Sequence, residues 1–165
     1  MASSSLVTLV ANDGVEVQAT LQAVQQSITL KSMLEILDEE HTIGLPIPLP
    51  GVEGDALRNV MQWCEHYRED PAADDPFPDV GGQTREFMPA WDVEFLTFDK
   101  EMLFQVANAA NYLDIPCLLG YVAATIAYNL RGKSTEEMRE YLNIKNDLTP
   151  KQEKKIRKEN AWVWS

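Results

Sequence analysis

The sequence is poor in the residues that build metal, redox and disulfide sites. Its 165 residues include only two cysteines and two histidines. Cys64 and Cys117 lie far apart in sequence, and His41 and His66 lie in separate segments. The sequence has neither the CxxC nor the HExxH spacing that holds zinc. A disulfide would need the fold to bring the two cysteines together, whereas buried thiols that act as small apolar groups are commoner. We therefore predict no metal site and no cofactor.

Basic residues and long apolar runs are also scarce. Lys and Arg number 14 against 26 Asp and Glu, which gives a net charge of −12 and a pI near 4.5. Nucleic acids and anionic membranes attract basic faces, so we predict neither of these partners. No apolar run approaches the roughly 20 residues of a spanning helix, and residues 1–5 lack the basic start of a signal peptide. We expect a soluble protein of the cytoplasm and nucleus.

Motifs of catalytic chemistry are missing as well. The sequence contains no glycine-rich phosphate loop and no nucleophile elbow. Its many acids do not single out one pair of carboxylates for general acid and base catalysis. We predict that the protein is not an enzyme, and a small enzyme with an unrecognised site is the alternative.

Residues 1–68 carry patterns of both strands and helices, which fits the α+β fold class that we predict. A β-branched run, the turn signal Asn12–Gly14 and an alternating segment predict a β-hairpin over residues 6–19. Residues 21–37 predict two short helices with a break at Ser27 or Thr29. Ile47–Pro50 has a proline at every second position, which predicts a short edge strand. Gly54–Arg68 carries a regular apolar stripe, which predicts a helix.

Residues 69–90 form an acidic segment rich in proline and glycine, which predicts a mobile loop. A calcium site is the alternative, but the spacing lacks the ligand pattern of an EF-hand. Residues 91–132 then predict an aromatic core cluster and two helices. The cluster comprises Trp91, Phe95, Leu96 and Phe98. The helices are predicted at Lys100–Leu113 with Asp99 as its cap, and from Ile115 to Gly132 with Asp114 as its cap.

Residues 133–165 fold by clear local rules but cannot cover their own apolar side chains. Capping boxes at Ser134–Glu137 and Thr149–Gln152 predict two helices. Ile156 is the only apolar residue of the second helix between positions 151 and 160, and Trp162 and Trp164 crowd the C-terminus. Contiguous apolar surface of this kind indicates a protein partner. The alternative is that Ile156 and Trp162 fold back onto the main domain.

Several blocks, in order along nearly the whole chain, resemble the S-phase kinase-associated protein one (Skp-one) family. The two specific blocks are AANYLDI at 109–115 and NIKND at 143–147. The other blocks are NDG at 12–14, SITLKSMLE at 27–35, IPLP at 47–50, QWC at 62–64, the acidic loop, WDVEFL at 91–96 and RKEN at 157–160. The resemblance implies a BTB/POZ fold, a small sheet with a helical cluster, followed by C-terminal helices.

The resemblance also implies a function without catalysis. Proteins of this family are adaptors of SCF-type cullin-RING ubiquitin ligases, and they join the cullin scaffold to exchangeable F-box substrate receptors. By position in the matching blocks, Asn111 and Tyr112 would bind the cullin. The F-box-binding residues would be Leu142, Ile144, Leu148, Ile156 and Trp162. A weak homodimer of the free chain is compatible with this interpretation, and a self-associating BTB scaffold without a cullin role is the alternative.

Overall fold

The structure is a computed structural model that describes residues 6–37, 45–72 and 85–163, without the side chain of Leu37. The chain divides into two compact units, Met1–Asn129 and Leu130–Ser165. The described residues contain three strands and eight helices, so the predicted α+β class is confirmed. The strands are β1 (Leu6–Ala11), β2 (Glu16–Thr20) and β3 (Ile47–Leu49), and the helices are α1 (Leu21–Val24), α2 (Ile28–Leu37), α3 (Gly54–His66), α4 (Ala90–Phe95), α5 (Lys100–Tyr112), α6 (Pro116–Leu130), α7 (Thr135–Tyr141) and α8 (Pro150–Glu159).

The sheet of the first unit has the strand order β2-β1-β3. β1 and β2 form the predicted hairpin, and Gly14 in its turn has the positive φ of 81° that favours glycine. The Asp13 carboxylate accepts hydrogen bonds from the amides of Val15 at 3.1 Å and Gly54 at 3.2 Å, which ties this turn to the start of α3. β3 pairs with β1 in parallel and lies at the edge, as its prolines predict.

The core of the first unit lies between the sheet and the helices that follow it. Helix α3 contacts all three of β1, β2 and α1, and α5 packs against α3. The side chains with no exposed surface come from each of these layers, for example Leu9, Leu57 and Leu118. Both cysteines are buried and neither is in a disulfide, as expected of thiols that act as small apolar groups, and burial raises the pKa of the Cys64 thiol.

Ser27 joins α2 to the end of α5. Its hydroxyl accepts from the Leu30 amide at 3.0 Å, which caps α2, and donates to the Leu113 carbonyl. The Ile28 amide donates to the Asp114 carbonyl at 3.1 Å. The predicted break near Ser27 is therefore confirmed, because this side chain serves two helices at once.

The prediction that Asp114 caps α6 is wrong. Asp114 has a φ of 52°, whereas a helix N-cap has extended backbone. The amides of Asp114 and Ile115 instead donate to the carbonyls of Asn111 at 3.2 Å and Ala110 at 2.9 Å. These bonds form a Schellman motif, so Asp114 terminates α5.

Helix α4 holds the buried Asp92, a residue that the sequence did not single out. Its carboxylate accepts from Trp63 Nε1 at 2.7 Å and from the Tyr67 hydroxyl at 2.5 Å, both on or next to α3. Burial and the hydrogen bond to Asp92 raise the pKa of Tyr67.

The predicted aromatic core is correct for Leu96, whereas Trp91, Phe95 and Phe98 are half-buried around it. The predicted calcium alternative and most of the acidic loop, residues 73–84, lie outside the described residues, as do His41 and Trp164.

Replacing Asp92 by alanine should destabilise the first unit. The change leaves the Trp63 and Tyr67 donors without their acceptor, and an unsatisfied buried donor costs about 1–3 kcal/mol. We expect the free energy of unfolding, measured by urea denaturation, to fall by about 2–4 kcal/mol. Glu94→Ala, an exposed change on the same helix, is the control and should stay within about 0.5 kcal/mol of the wild type. Identical curves for the two variants would contradict this role of Asp92.

Candidate protein-binding surfaces

Two capping boxes start the helices of the second unit, as predicted. The Ser134 hydroxyl accepts from the Glu137 amide at 3.2 Å, and the Glu137 carboxylate accepts from the Ser134 amide at 2.7 Å. Thr149 and Gln152 repeat the arrangement at α8, with distances of 3.3 and 2.8 Å. Hydrogen bonds from the Ser134 amide and hydroxyl lower the pKa of Glu137. Both helix starts are therefore fixed by residues next to them in sequence.

The segment between α7 and α8 is ordered by its own polar groups. Asn143 has a φ of 54°, and the Ile144 amide donates to the Arg139 carbonyl at 2.9 Å, which ends α7 in a Schellman motif. Asn146 then accepts from the Leu148 amide at 3.1 Å through Oδ1 and donates to Glu153 Oε1 at 2.8 Å through Nδ2.

Two ion pairs connect α7 to α8. Arg139 Nη1 lies 3.4 Å from Glu153 Oε1, and Arg157 Nη2 lies 3.2 Å from Glu136 Oε1. The earlier residue of α7 thus pairs with the later residue of α8, so the helices run antiparallel. The pair of Arg139 and Glu153 is mostly shielded from solvent, with side chains 20% and 28% exposed. Shielding makes this pair the stronger of the two.

An open groove of about 670 Å³ lies in the second unit between these helices. Neither α7 nor α8 contains a fully buried residue. Apolar side chains therefore line the groove and remain accessible, at Met138, Leu148, Ile156 and Val163. The four charged residues of the two ion pairs lie along its walls. An apolar groove with charged walls can accept the apolar face of a partner helix.

The structure brings two of the five predicted F-box-binding residues, Leu148 and Ile156, into this groove. Leu142, Ile144 and Trp162 do not line it. Ile144 and Trp162 are exposed and Leu142 is half-buried. Ile156 is 44% exposed and Trp162 is 74% exposed, so the alternative that buries both side chains is wrong.

Two groove residues were missed by the sequence argument, Met138 and Val163. Met138 lies on the apolar stripe of α7 with Tyr141 and Leu142, a spacing that could have identified it. Val163 carries no such signal, because it follows α8 in the short 3-10 turn Ala161–Val163.

A second surface lies in the first unit, at the C-terminal end of α5. The two residues predicted to bind a cullin, Asn111 and Tyr112, are both exposed there. The Tyr112 carbonyl accepts from the Thr29 hydroxyl at 3.3 Å. The Tyr112 ring lies over the backbone of Gly51, which the sequence did not single out.

Among the residues that the structure describes, no cluster of three or more His, Cys, Asp or Glu side chains could hold a metal ion. Over the same residues, no helix combines the length and apolarity needed to cross a bilayer.

Comparison with known proteins identifies the family. Residues 5–69 match a POZ-domain model described as "Skp1 family, tetramerisation domain", and residues 116–163 match the model "Skp1 family, dimerisation domain". The "E3 ubiquitin ligase complex SCF subunit sconC" of Arthroderma benhamiae is 44% identical over 98% of this chain and 96% of its own length. The proteins of the same name from Arthroderma otae and Talaromyces marneffei are 42% and 40% identical, over 98% and 97% of this chain and 96% and 98% of their own lengths.

The chain belongs to the Skp1 family. This is the Skp-one family of the sequence resemblance, so that identification is confirmed. The predicted BTB/POZ fold is confirmed with it, since the POZ match covers the sheet and α1 to α3. The other match, at residues 116–163, covers α6 to α8, including the groove. In this Skp1-family chain, the open groove therefore falls within a segment that defines the family.

Glu153 should contribute more to the order of the second unit than Glu159, the other acid of α8. It accepts from both Arg139 and Asn146, so Glu153→Gln weakens the link between α7 and α8. We expect a loss of about 0.5–1 kcal/mol in the local stability of residues 135–159, measured by amide hydrogen exchange. Glu159→Gln is the matched control, because the pair of Glu159 with Lys155, at 3.8 Å, is exposed to solvent. Equal exchange in the two variants would rule out this role.

The start of α7 should depend on pH through Glu137. The folded-state pKa of Glu137 is lowered, so its stabilisation is complete above the ordinary carboxyl pKa and is lost as pH falls through the lowered value. Glu137→Gln keeps an acceptor in the box, as Gln152 does in the second box, but cannot titrate. We expect the Ser134 and Glu137 amide signals to titrate in acid by NMR in the wild type. If the same titration persists in Glu137→Gln, another group is responsible.

Proposed function

We propose that this protein is the adaptor subunit of an SCF-type cullin-RING ubiquitin ligase and bridges a cullin scaffold to F-box substrate receptors. Its Skp1-family relatives are named as subunits of SCF E3 ubiquitin ligase complexes, and their similarity extends over nearly the whole chain. We further propose that it has no catalytic activity of its own and contributes only binding surfaces.

The observation that supports binding of F-box receptors is the open groove of the second unit. An ordinary helix pair of a soluble protein buries its apolar face. Here Ile156 and Trp162 remain exposed although both helices are capped and joined by ion pairs. The exposed apolar side chains are thus available to a partner without unfolding α7 or α8. Leu142, Ile144, Leu148, Ile156 and Trp162 form our proposed F-box-binding set, to which the groove adds Met138 and Val163.

The cullin part depends on the surface at the end of α5. Asn111 offers an amide that can donate and accept, and Tyr112 offers a large ring that is 38% exposed. Tyrosines of this kind often dominate protein interfaces because they bury a large area with few rotatable bonds. We propose that these two residues contact the cullin. The two proposed surfaces lie in different units, so each can be changed without altering the other.

The F-box surface is tested by the double variant Leu148→Ala/Trp162→Ala. Neither side chain is fully buried, so the variant should fold while losing apolar contact with the receptor. We expect F-box binding, measured by calorimetry, to weaken at least about 30-fold, because truncated interface anchors often cost about 2 kcal/mol or more. Cullin binding should be unchanged. Lys154→Ala, exposed on α8, is the control and should bind both partners normally.

The cullin surface is tested in the same assay by Asn111→Ala/Tyr112→Ala, which should reverse the pattern. Cullin affinity should fall while F-box affinity is retained, and Glu101→Ala at the opposite end of α5 should leave both unchanged. Normal binding of both partners by both double variants would refute the assignment of the surfaces. A tight homodimer with no affinity for cullin would refute the adaptor function itself.

A further inference from the structure

The turn after β3 is held rigidly at both ends. Its first and last residues, Leu49 and Val52, are buried, and the Val52 amide donates to the Leu49 carbonyl at 3.2 Å. The Val52 carbonyl in turn accepts from the Asn12 amide at 2.9 Å. The two residues between Leu49 and Val52, Pro50 and Gly51, are exposed. The backbone of Gly51 is therefore fixed in place by neighbours that belong to the core.

Tyr112, the last residue of α5, places its ring on this turn. The Tyr112 carbonyl is bonded to the Thr29 hydroxyl, so the backbone that carries the ring is also held. A Cβ atom on Gly51 would overlap Tyr112 Cε2 and would lie 2.5 Å from Cδ2. Carbon atoms in contact are normally about 3.5–4.0 Å apart. The ring therefore occupies the space that any other side chain at position 51 would need.

The backbone of Gly51 does not itself require glycine. Gly14 and Gly132 have positive φ angles, which disfavour other residues, but Gly51 does not lie in that region. An alanine at position 51 could adopt the same backbone without strain. The Tyr112 ring, however, would have to move to make room for the alanine side chain. The glycine is thus required by the ring and not by the turn.

We propose that Gly51 is a positioning residue for Tyr112, because its missing side chain lets the ring lie on the turn and fixes the face that the ring presents to the cullin. This inference rests on the proposed function. A ring that is already held in the free protein loses little further freedom on binding, which favours affinity. The binding surface then includes the turn after β3 as the support of the ring, in addition to the end of α5.

Gly51→Ala in the full chain tests the proposal. We expect the aromatic NMR signals of Tyr112 to shift, because the ring must leave the turn. Cullin affinity should fall about tenfold, less than for Tyr112→Ala, since the displaced ring is still present. F-box affinity and the thermal midpoint should remain at their wild-type values. Glu53→Ala is the matched control, because Glu53 lies two residues away and its side chain makes no capping bond.

The double variant Gly51→Ala/Tyr112→Ala shows whether Gly51→Ala changes cullin affinity through the Tyr112 ring or independently of it. If Gly51 acts through Tyr112, Gly51→Ala should have no additional effect on cullin affinity once the ring is removed. An equal loss in both backgrounds overturns the proposal, as do unmoved Tyr112 signals.

The single variant Tyr112→Ala distinguishes the remaining failures. If Tyr112→Ala weakens cullin binding while Gly51→Ala does not, the positioning role is wrong and the cullin surface stands. If Tyr112→Ala binds cullin with full affinity, the assignment of Tyr112 to that surface fails, and the positioning role of Gly51 fails with it.

Discussion

The helices α7 and α8 must be stable without a core of their own, and the surface of the second unit depends on this constraint. They are 7 and 10 residues long and contain no fully buried residue. Isolated helices of that length are marginal in water. Capping boxes, the asparagines between the helices and the ion pair of Arg139 with Glu153 supply the order instead. Because polar groups hold the helices, the apolar side chains remain available for a partner.

In the first unit, by contrast, hydrogen bonds inside the fold hold the proposed binding surface rigid. Ser27 and the buried Asp92 fasten α2, α3 and α4 to distant parts of the chain by hydrogen bonds inside the fold. The backbone of Tyr112 is fixed at the junction of α2 and α5, where Thr29 donates to its carbonyl. One unit thus presents an open groove, whereas the other presents a ring supported by a rigid turn. An adaptor with two partners can use both arrangements.

Features that depend on neighbouring residues were predictable from the sequence. The hairpin turn at Gly14 and both capping boxes are of this kind, and so is the edge strand β3. Helix α4 was not predicted, because the hydrogen bond that holds it joins Asp92 to Trp63 across 29 residues of sequence. In the groove, Leu148 and Ile156 were predicted through the family resemblance, and Ile156 also because it is the only apolar residue between positions 151 and 160. Gly51 was not, since only the folded chain brings it beneath Tyr112.

The short strand β3 also limits how other proteins can join this one. Pro48, the middle of its three residues, has no amide hydrogen, and β3 is an edge of the sheet. An incoming peptide that sought to extend the sheet by strand addition would find few donors at this edge. Recognition there has to use side chains and helix ends. Binding of a partner at the groove of the second unit would leave the hydrogen bonds of the sheet intact.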